Sequence, residues 1–227
     1  MAEKSAFLRD IVKFPNLLCF YRIFVILACC IVFILGFPLI AAFLGLTAGL
    51  TDYWDGIYAR KHNMTTRVGA LLDTVADLLF NFFVISLAVA YGIWPLALLW
   101  AWGFRDLSVL AMRASAAQMG FDISSRMLGK VASNFIFYGL FLMPIGYAFS
   151  THYADTIPYY VQVFFVYLSL GAVVVGVIMQ WIVAVPYLRS FIKGYNETQA
   201  KIAAAKADVV ELAAEGAALV DTAEGTK

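Results

Sequence analysis

Six apolar stretches, each long enough to cross about 30 Å of hydrocarbon as a helix, recur along the 227 residues of this chain. They run near 17–35, 39–58, 70–90, 96–112, 131–149 and 160–187. Turn signals part them: Gly36-Phe37-Pro38, Gly92-Ile93-Trp94-Pro95 and the polar segment 150–158. Composition points the same way, with 63% hydrophobic and 14% charged residues against about 45–50% and about 25% in a soluble domain. A soluble core of this size cannot hide that much apolar surface, so the bilayer is the expected solvent. The expected fold is all-α and integral to the membrane, with six transmembrane helices. The fourth stretch is the least regular, because Arg105 and Asp106 interrupt it.

The basic residues orient these spans. Lys4, Arg9 and Lys13 precede the first, and Arg60, Lys61 and Arg67 lie between the second and third. Arg113, Arg126 and Lys130 lie between the fourth and fifth, and Arg189, Lys193 and Lys201 follow the sixth. The alternate loops carry no Lys or Arg, so the positive-inside rule places both termini in the cytoplasm. Residues 1–15 mix Phe7, Leu8, Ile11 and Val12 with Arg9, Asp10 and Lys13, which predicts a short interfacial amphipathic helix and no cleavable signal peptide. Residues 16–190 form the membrane domain. Residues 191–227 form a polar, alanine-rich cytoplasmic tail, of which 196–227 read as a fraying helix or a disordered end. Net charge is +1, which gives no reason to expect a nucleic-acid partner. Cys19, Cys29 and Cys30 share one apolar stretch without metal-ligand spacing and read as small apolar residues. His62 and His152 read as surface residues rather than ligands.

The chemistry concentrates between Asp52 and Asp77. Asp52 and Asp55 are three residues apart and Asp73 and Asp77 are four apart, so on helices each pair shares a face. The short connection makes these helices antiparallel neighbours, able to aim both pairs into one cavity. Each intramembrane carboxylate costs about 2.5–3.5 kcal/mol on insertion scales, and four together repel one another. Divalent cations would make the arrangement tolerable. Oxygen-only donors suit Mg²⁺ or Mn²⁺, and the lack of Cys or His in the cluster disfavours zinc. Gly56, beside Asp55, costs about 1 kcal/mol against alanine in a helix and lets a bulky ligand approach the backbone. Ala59 and Gly69 would do likewise or let helices pack closely. Arg60 can pair with a phosphate oxygen. From the acids alone, a structural cluster or the cation path of a transporter stands beside catalysis. Against a transporter, the acids sit in one helix pair, and no internal repeat is evident.

Asp52-x2-Asp55-Gly56-x2-Ala59-Arg60-x8-Gly69-x3-Asp73-x3-Asp77 resembles the signature of the CDP-alcohol phosphotransferases at each of its eight fixed positions. The entry Phe14-Pro15-Asn16-Leu17-Leu18, followed by Arg22, is similar to the start of many members. The resemblance implies an enzyme that passes a phosphatidyl group from CDP-diacylglycerol to a small alcohol and releases CMP. It implies a dimeric six-helix protein in contact with membrane lipid, working at the cytoplasmic side with two Mg²⁺ or Mn²⁺ ions. On that resemblance Asp52, Asp55, Asp73 and Asp77 are the metal ligands and Asp77 is also the catalytic base. Asp52, Asp55, Gly56, Ala59, Arg60 and Gly69 hold the CDP moiety.

For the acceptor, Arg105-Asp106, Arg113, Gly120 and Gly129-Lys130 resemble a pattern in phosphatidylglycerophosphate synthases. This makes glycerol 3-phosphate the expected alcohol, with Arg113, Lys130 and Arg126 as its phosphate contacts. Two departures keep inositol, inositol phosphate, serine and phosphatidylglycerol open. Asp73-Thr74-Val75-Ala76-Asp77-Leu78 lacks the usual proline and lysine, and Gly129-Lys130-Val131-Ala132-Ser133 lacks one cation. Positive-inside bias alone would also supply basic residues here. Arg105-Asp106 reads equally as an ion pair that fastens the fourth helix.

Overall fold

The structure, a computed structural model, describes residues 13–61, 67–123 and 127–224; within these, side chains 14–15, 52–53, 55–60, 67–68, 70 and 209–224 lie outside the description. The amphipathic segment expected at 1–15, His62 and Arg126 therefore lie outside the described residues almost entirely. Among the described residues the chain forms six helices: α1 (Phe14–Ile34), α2 (Pro38–Lys61), α3 (Arg67–Ala90), α4 (Leu96–Gln118), α5 (Met127–Thr151) and α6 (Tyr159–Glu224). Each contains one of the six apolar stretches. Among the described residues, those long and apolar enough to cross a membrane are Asn16–Ile34, Leu71–Ala90, Met127–Thr151 and a stretch of α6 from Tyr159 to Asp208. Over the described residues Pro38–Thr51 is a further, shorter apolar helical stretch.

Local chemistry sets the helix ends. Lys13 caps α1 in an extended conformation and a proline occupies the first turn, where its missing N–H costs nothing. Gly36 adopts a φ of 88°, a left-handed conformation open to glycine, and the chain reverses there into Pro38. The sixth helix continues into the polar tail as far as Glu224, which is the helical one of the two states expected there. Alanine and lysine have high helix propensity, and Pro186 is accommodated within the helix.

The chain divides into two compact units, one of residues 1–104 and 127–180, the other of 105–126 and 181–227. In the first unit α1 packs against both α2 and α3, and α2 and α3 pack on α5. Phe33, Ile85, Ala88, Leu140 and Val173 form its core, with Val25, Ile26 and Ala48 buried as a second cluster. Cys19, Cys29 and Cys30 are buried free thiols, and the Cys29 thiol donates to the Ala41 carbonyl at 3.1 Å. Gly139 lets α5 meet α6: a Cβ there would stand 2.3 Å from Val173 Cγ2 and 2.8 Å from the Ser169 carbonyl oxygen. Van der Waals packing between small residues is the main attraction available to helices in lipid. In the second unit Val109, Ala116, Ile123, Val183 and Tyr187 are buried together.

Candidate functional site

The packing of α1 on α3 brings a cation of one helix onto the acids of the other. Asn16 and Arg22 are both buried on α1. From Nη2, Arg22 donates to Asp73 Oδ1 at 2.5 Å, with a longer approach of 3.4 Å to the Asp73 carbonyl. Its Nη1 lies 3.8 Å from Asp77 Oδ1. One side chain thus spans both acids, as their four-residue spacing on a helix allows. The Arg22 side chain is only 4% exposed, whereas those of Asp73 and Asp77 are 47% and 62% exposed. The carboxylates therefore anchor a buried guanidinium while keeping a face open to a ligand. Gly69 lies one helical turn before Asp73 on α3 and is half-buried.

Asp52, Asp55, Gly56, Ala59 and Arg60 belong to the last turns of α2, and their side chains lie outside the described residues. Consequently, among the described residues no three His, Cys, Asp or Glu side chains come together as a metal centre. Asp73 and Asp77 nevertheless fit a hard divalent cation. They are oxygen donors, they share one helix face, and they are accessible. An apolar crevice lined by Cys29, Phe33, Ala41, Gly45, Val84 and Leu140 lies about two turns farther along α1 from Arg22. It offers no carboxylate or cation for the chemistry.

The basic residues of the expected acceptor site fall into three cases. On α4, Arg105 is buried and bonds Asp106 Oδ1 at 2.7 Å, so this pair is an ion pair within the helix. Farther along α4, Arg113 is exposed and donates from Nη2 to the Tyr187 hydroxyl at 2.9 Å. On the first turn of α5, Lys130 is exposed beside half-buried Gly129. His152 is exposed, with Nδ1 at 2.8 Å from the Thr151 hydroxyl, in keeping with a surface role.

Sequence reasoning passed over Arg22 and Tyr187 as functional residues. A cation within an otherwise apolar first span was the available signal for Arg22. Nothing in the sequence singles out Tyr187 among its twelve tyrosines.

The family model described as CDP-alcohol phosphatidyltransferase matches residues 12–153. The CDP-diacylglycerol–glycerol-3-phosphate 3-phosphatidyltransferase of Salmonella choleraesuis is 33% identical over 127 residues, covering 52% of this chain and 68% of that protein. The enzyme of the same name from Escherichia coli K12 is also 33% identical over 127 residues, with the same coverage. That of Bacillus subtilis is 33% identical over 93 residues, covering 41% of this chain and 48% of that protein.

Proposed function

The chain belongs to the CDP-alcohol phosphatidyltransferase family, and on that premise we propose that it transfers a phosphatidyl group from CDP-diacylglycerol to glycerol 3-phosphate and releases CMP. The observation that carries the reading is the acid pair Asp73 and Asp77, open to solvent on one face and held by Arg22 from the other. The relatives of this chain named for glycerol 3-phosphate support the acceptor. So does Arg113, which among the described residues has no carboxylate partner.

In this reading Asp52, Asp55, Asp73 and Asp77 hold two divalent cations, Mg²⁺ or Mn²⁺. When bound, such ions supply charge neutralisation at a pyrophosphate. Arg22 fixes the rotamers of Asp73 and Asp77, so that the acids are in place before substrate arrives. Gly56 and Ala59 leave room for the nucleotide, Gly69 lines the same site, and Arg60 contacts phosphate. Asp77 takes the proton of the acceptor hydroxyl. The acceptor oxygen then bonds to the β-phosphorus while the bond from that phosphorus to the CMP oxygen breaks, its electron pair leaving with CMP. Arg113, Lys130 and Arg126 hold the acceptor phosphate.

The protein would sit in the membrane with six spans, an interfacial helix at 1–15 and both termini in the cytoplasm. Its catalytic domain would cover 16–190, residues 191–227 would form the tail, and the working form would be a homodimer. The test is an assay of purified protein in detergent with CDP-diacylglycerol, Mg²⁺ or Mn²⁺, and a panel of alcohols, following CMP release. Glycerol 3-phosphate should exceed inositol, inositol phosphate, serine and phosphatidylglycerol. A stronger response to one of these would replace the acceptor. No CMP release with any of them would overturn the reading.

A further inference from the structure

Tyr187 is 3% exposed and packs among Val109, Ala116, Ile123 and Val183, so its ring has little freedom. It presents two features to one arginine. Its hydroxyl accepts a hydrogen bond from Arg113 Nη2 at 2.9 Å. The Arg113 guanidinium carbon also stands 5.0 Å from the ring centroid, within the roughly 6 Å reach of a cation–π contact. We propose that Tyr187 is a positioning residue that holds the Arg113 guanidinium ready for the phosphate group of the acceptor alcohol, an inference that rests on the reading of Arg113 given above.

The contrast with Arg105 carries the argument. Both arginines stand on α4, but Arg105 is buried against the Asp106 carboxylate at 2.7 Å, so its charge is compensated. Arg113 is exposed, and among the described residues its partner is a neutral phenol and no carboxylate. A phenol fixes orientation without neutralising charge. A guanidinium has five N–H donors, and the Tyr187 hydroxyl engages one nitrogen. The rest of the fork remains for a phosphate, which arginine binds through two parallel hydrogen bonds when its plane is set. An unrestrained arginine loses side-chain entropy when it is ordered. Tyr187 imposes much of that order before the acceptor binds, and preorganisation of this kind raises affinity without adding a contact to the ligand.

The experiment is steady-state kinetics on the purified full chain, with glycerol 3-phosphate and CDP-diacylglycerol varied in turn. Tyr187→Phe keeps the ring and its packing and removes the accepting oxygen. It should raise the acceptor KM about three- to tenfold, with kcat, the CDP-diacylglycerol KM and the thermal midpoint unchanged. Arg113→Lys, which keeps the charge but loses the planar fork, should give an acceptor-specific rise at least as large. In an Arg113→Gln background, Tyr187→Phe should add nothing, because a positioning residue has no effect once its client is gone. An unchanged acceptor KM in Tyr187→Phe, beside a raised one in Arg113→Gln, overturns the role of Tyr187 and leaves that of Arg113 standing. An unchanged acceptor KM in Arg113→Gln overturns the reading beneath it. A rise of both Michaelis constants in Tyr187→Phe, or a lowered thermal midpoint, assigns the tyrosine to packing instead. Should Tyr187→Phe fail to fold, Tyr187→His, which keeps a ring but cannot reach Arg113 as the phenol does, takes its place: an acceptor-specific rise in KM supports the inference and an unchanged acceptor KM overturns it.

Discussion

Arg22 on α1 bonds Asp73 on α3 at 2.5 Å and stands 3.8 Å from Asp77, so one buried guanidinium fastens two helices through the acids expected to do the chemistry. The partners differ sharply in exposure, at 4% for the Arg22 side chain against 47% and 62% for the acids. Solvent screens the exposed end of such pairs, so their worth as stabilising ion pairs is small. Their worth in orientation is larger, because the arginine comes from a packed helix and reaches both acids at once.

Loss of that orientation should show in turnover. Arg22→Gln releases both acids from their anchor and should lower CMP release by about tenfold or more, equivalent to about 1.4 kcal/mol on the barrier. Arg22→Lys should recover only part of it, since a lysine ammonium lacks the fork that spans two carboxylates. Assay at saturating donor and acceptor measures this. Wild-type turnover in Arg22→Gln would show that the acids hold their places without it.

The acids themselves make a sharper test. Asp73→Asn and Asp77→Asn each preserve side-chain shape while removing a charged metal donor, and for Asp77 a base as well. Both should reduce CMP release to background across a range of Mg²⁺ and Mn²⁺ concentrations, while the protein elutes from size exclusion as the wild type does. Near-normal turnover in Asp77→Asn would remove it from the role of base.

Legibility in the sequence followed how each feature is encoded. Helix positions read well because a bilayer demands long apolar runs: each of the six stretches falls on a described helix, and among the described residues four of these are long and apolar enough to cross a membrane. The end of α6 was open between helix and disorder, because an alanine- and lysine-rich tail satisfies helix propensity without any apolar run to mark it. The pairing of Asp73 and Asp77 follows from spacing alone. Their link to Arg22 spans 51 positions, and no periodicity reports a contact between helices. Arg105 and Arg113 look equivalent as letters. Only the three-dimensional partners, Asp106 for one and Tyr187 for the other, separate a neutralised cation from an available one.

Close helix approach gives a stability prediction independent of the chemistry. A methyl at Gly139 would meet the Ser169 carbonyl at 2.8 Å as well as Val173, and backbone cannot turn aside as a flexible side chain can. Gly139→Ala should therefore lower the thermal midpoint in detergent, by an overpacking cost of about 1–3 kcal/mol. Gly103→Ala, also in a helix but with nothing within 4 Å of the new methyl, should be neutral or stabilising. Equal midpoints for the two variants would show that α5 and α6 have room to separate.

Gly56 sits within α2, where glycine is unfavourable by about 1 kcal/mol relative to alanine. If its purpose is nucleotide approach, Gly56→Leu should weaken CDP-diacylglycerol binding by an order of magnitude or more while the thermal midpoint holds or rises. Binding measured directly, by titration with a CDP ligand, distinguishes this from a defect in turnover. Unaltered affinity would return the glycine to helix packing.

Lys130 provides the last test, because it separates a phosphate contact from the general excess of basic residues expected on one side of a membrane protein. It is exposed on the first turn of α5 and, among the described residues, no carboxylate pairs with it. Both roles predict some effect of Lys130→Gln, but on different constants. A phosphate contact acts on the acceptor, so its KM should rise roughly ten- to hundredfold, in line with about 1.5–3 kcal/mol for a charged hydrogen bond. The CDP-diacylglycerol KM should stay put, since other residues hold that substrate. A membrane-surface contact would instead act on the lipid substrate or on both constants together. Lys201, exposed on the distal part of α6, is the charge-matched control, and Lys201→Gln should move neither constant. Raising ionic strength sharpens the contrast: screening weakens any exposed phosphate contact, so the gap between wild type and Lys130→Gln in acceptor KM should narrow with salt. A gap that is absent at low salt, or that Lys201→Gln reproduces, would leave Lys130 as part of the basic surface alone.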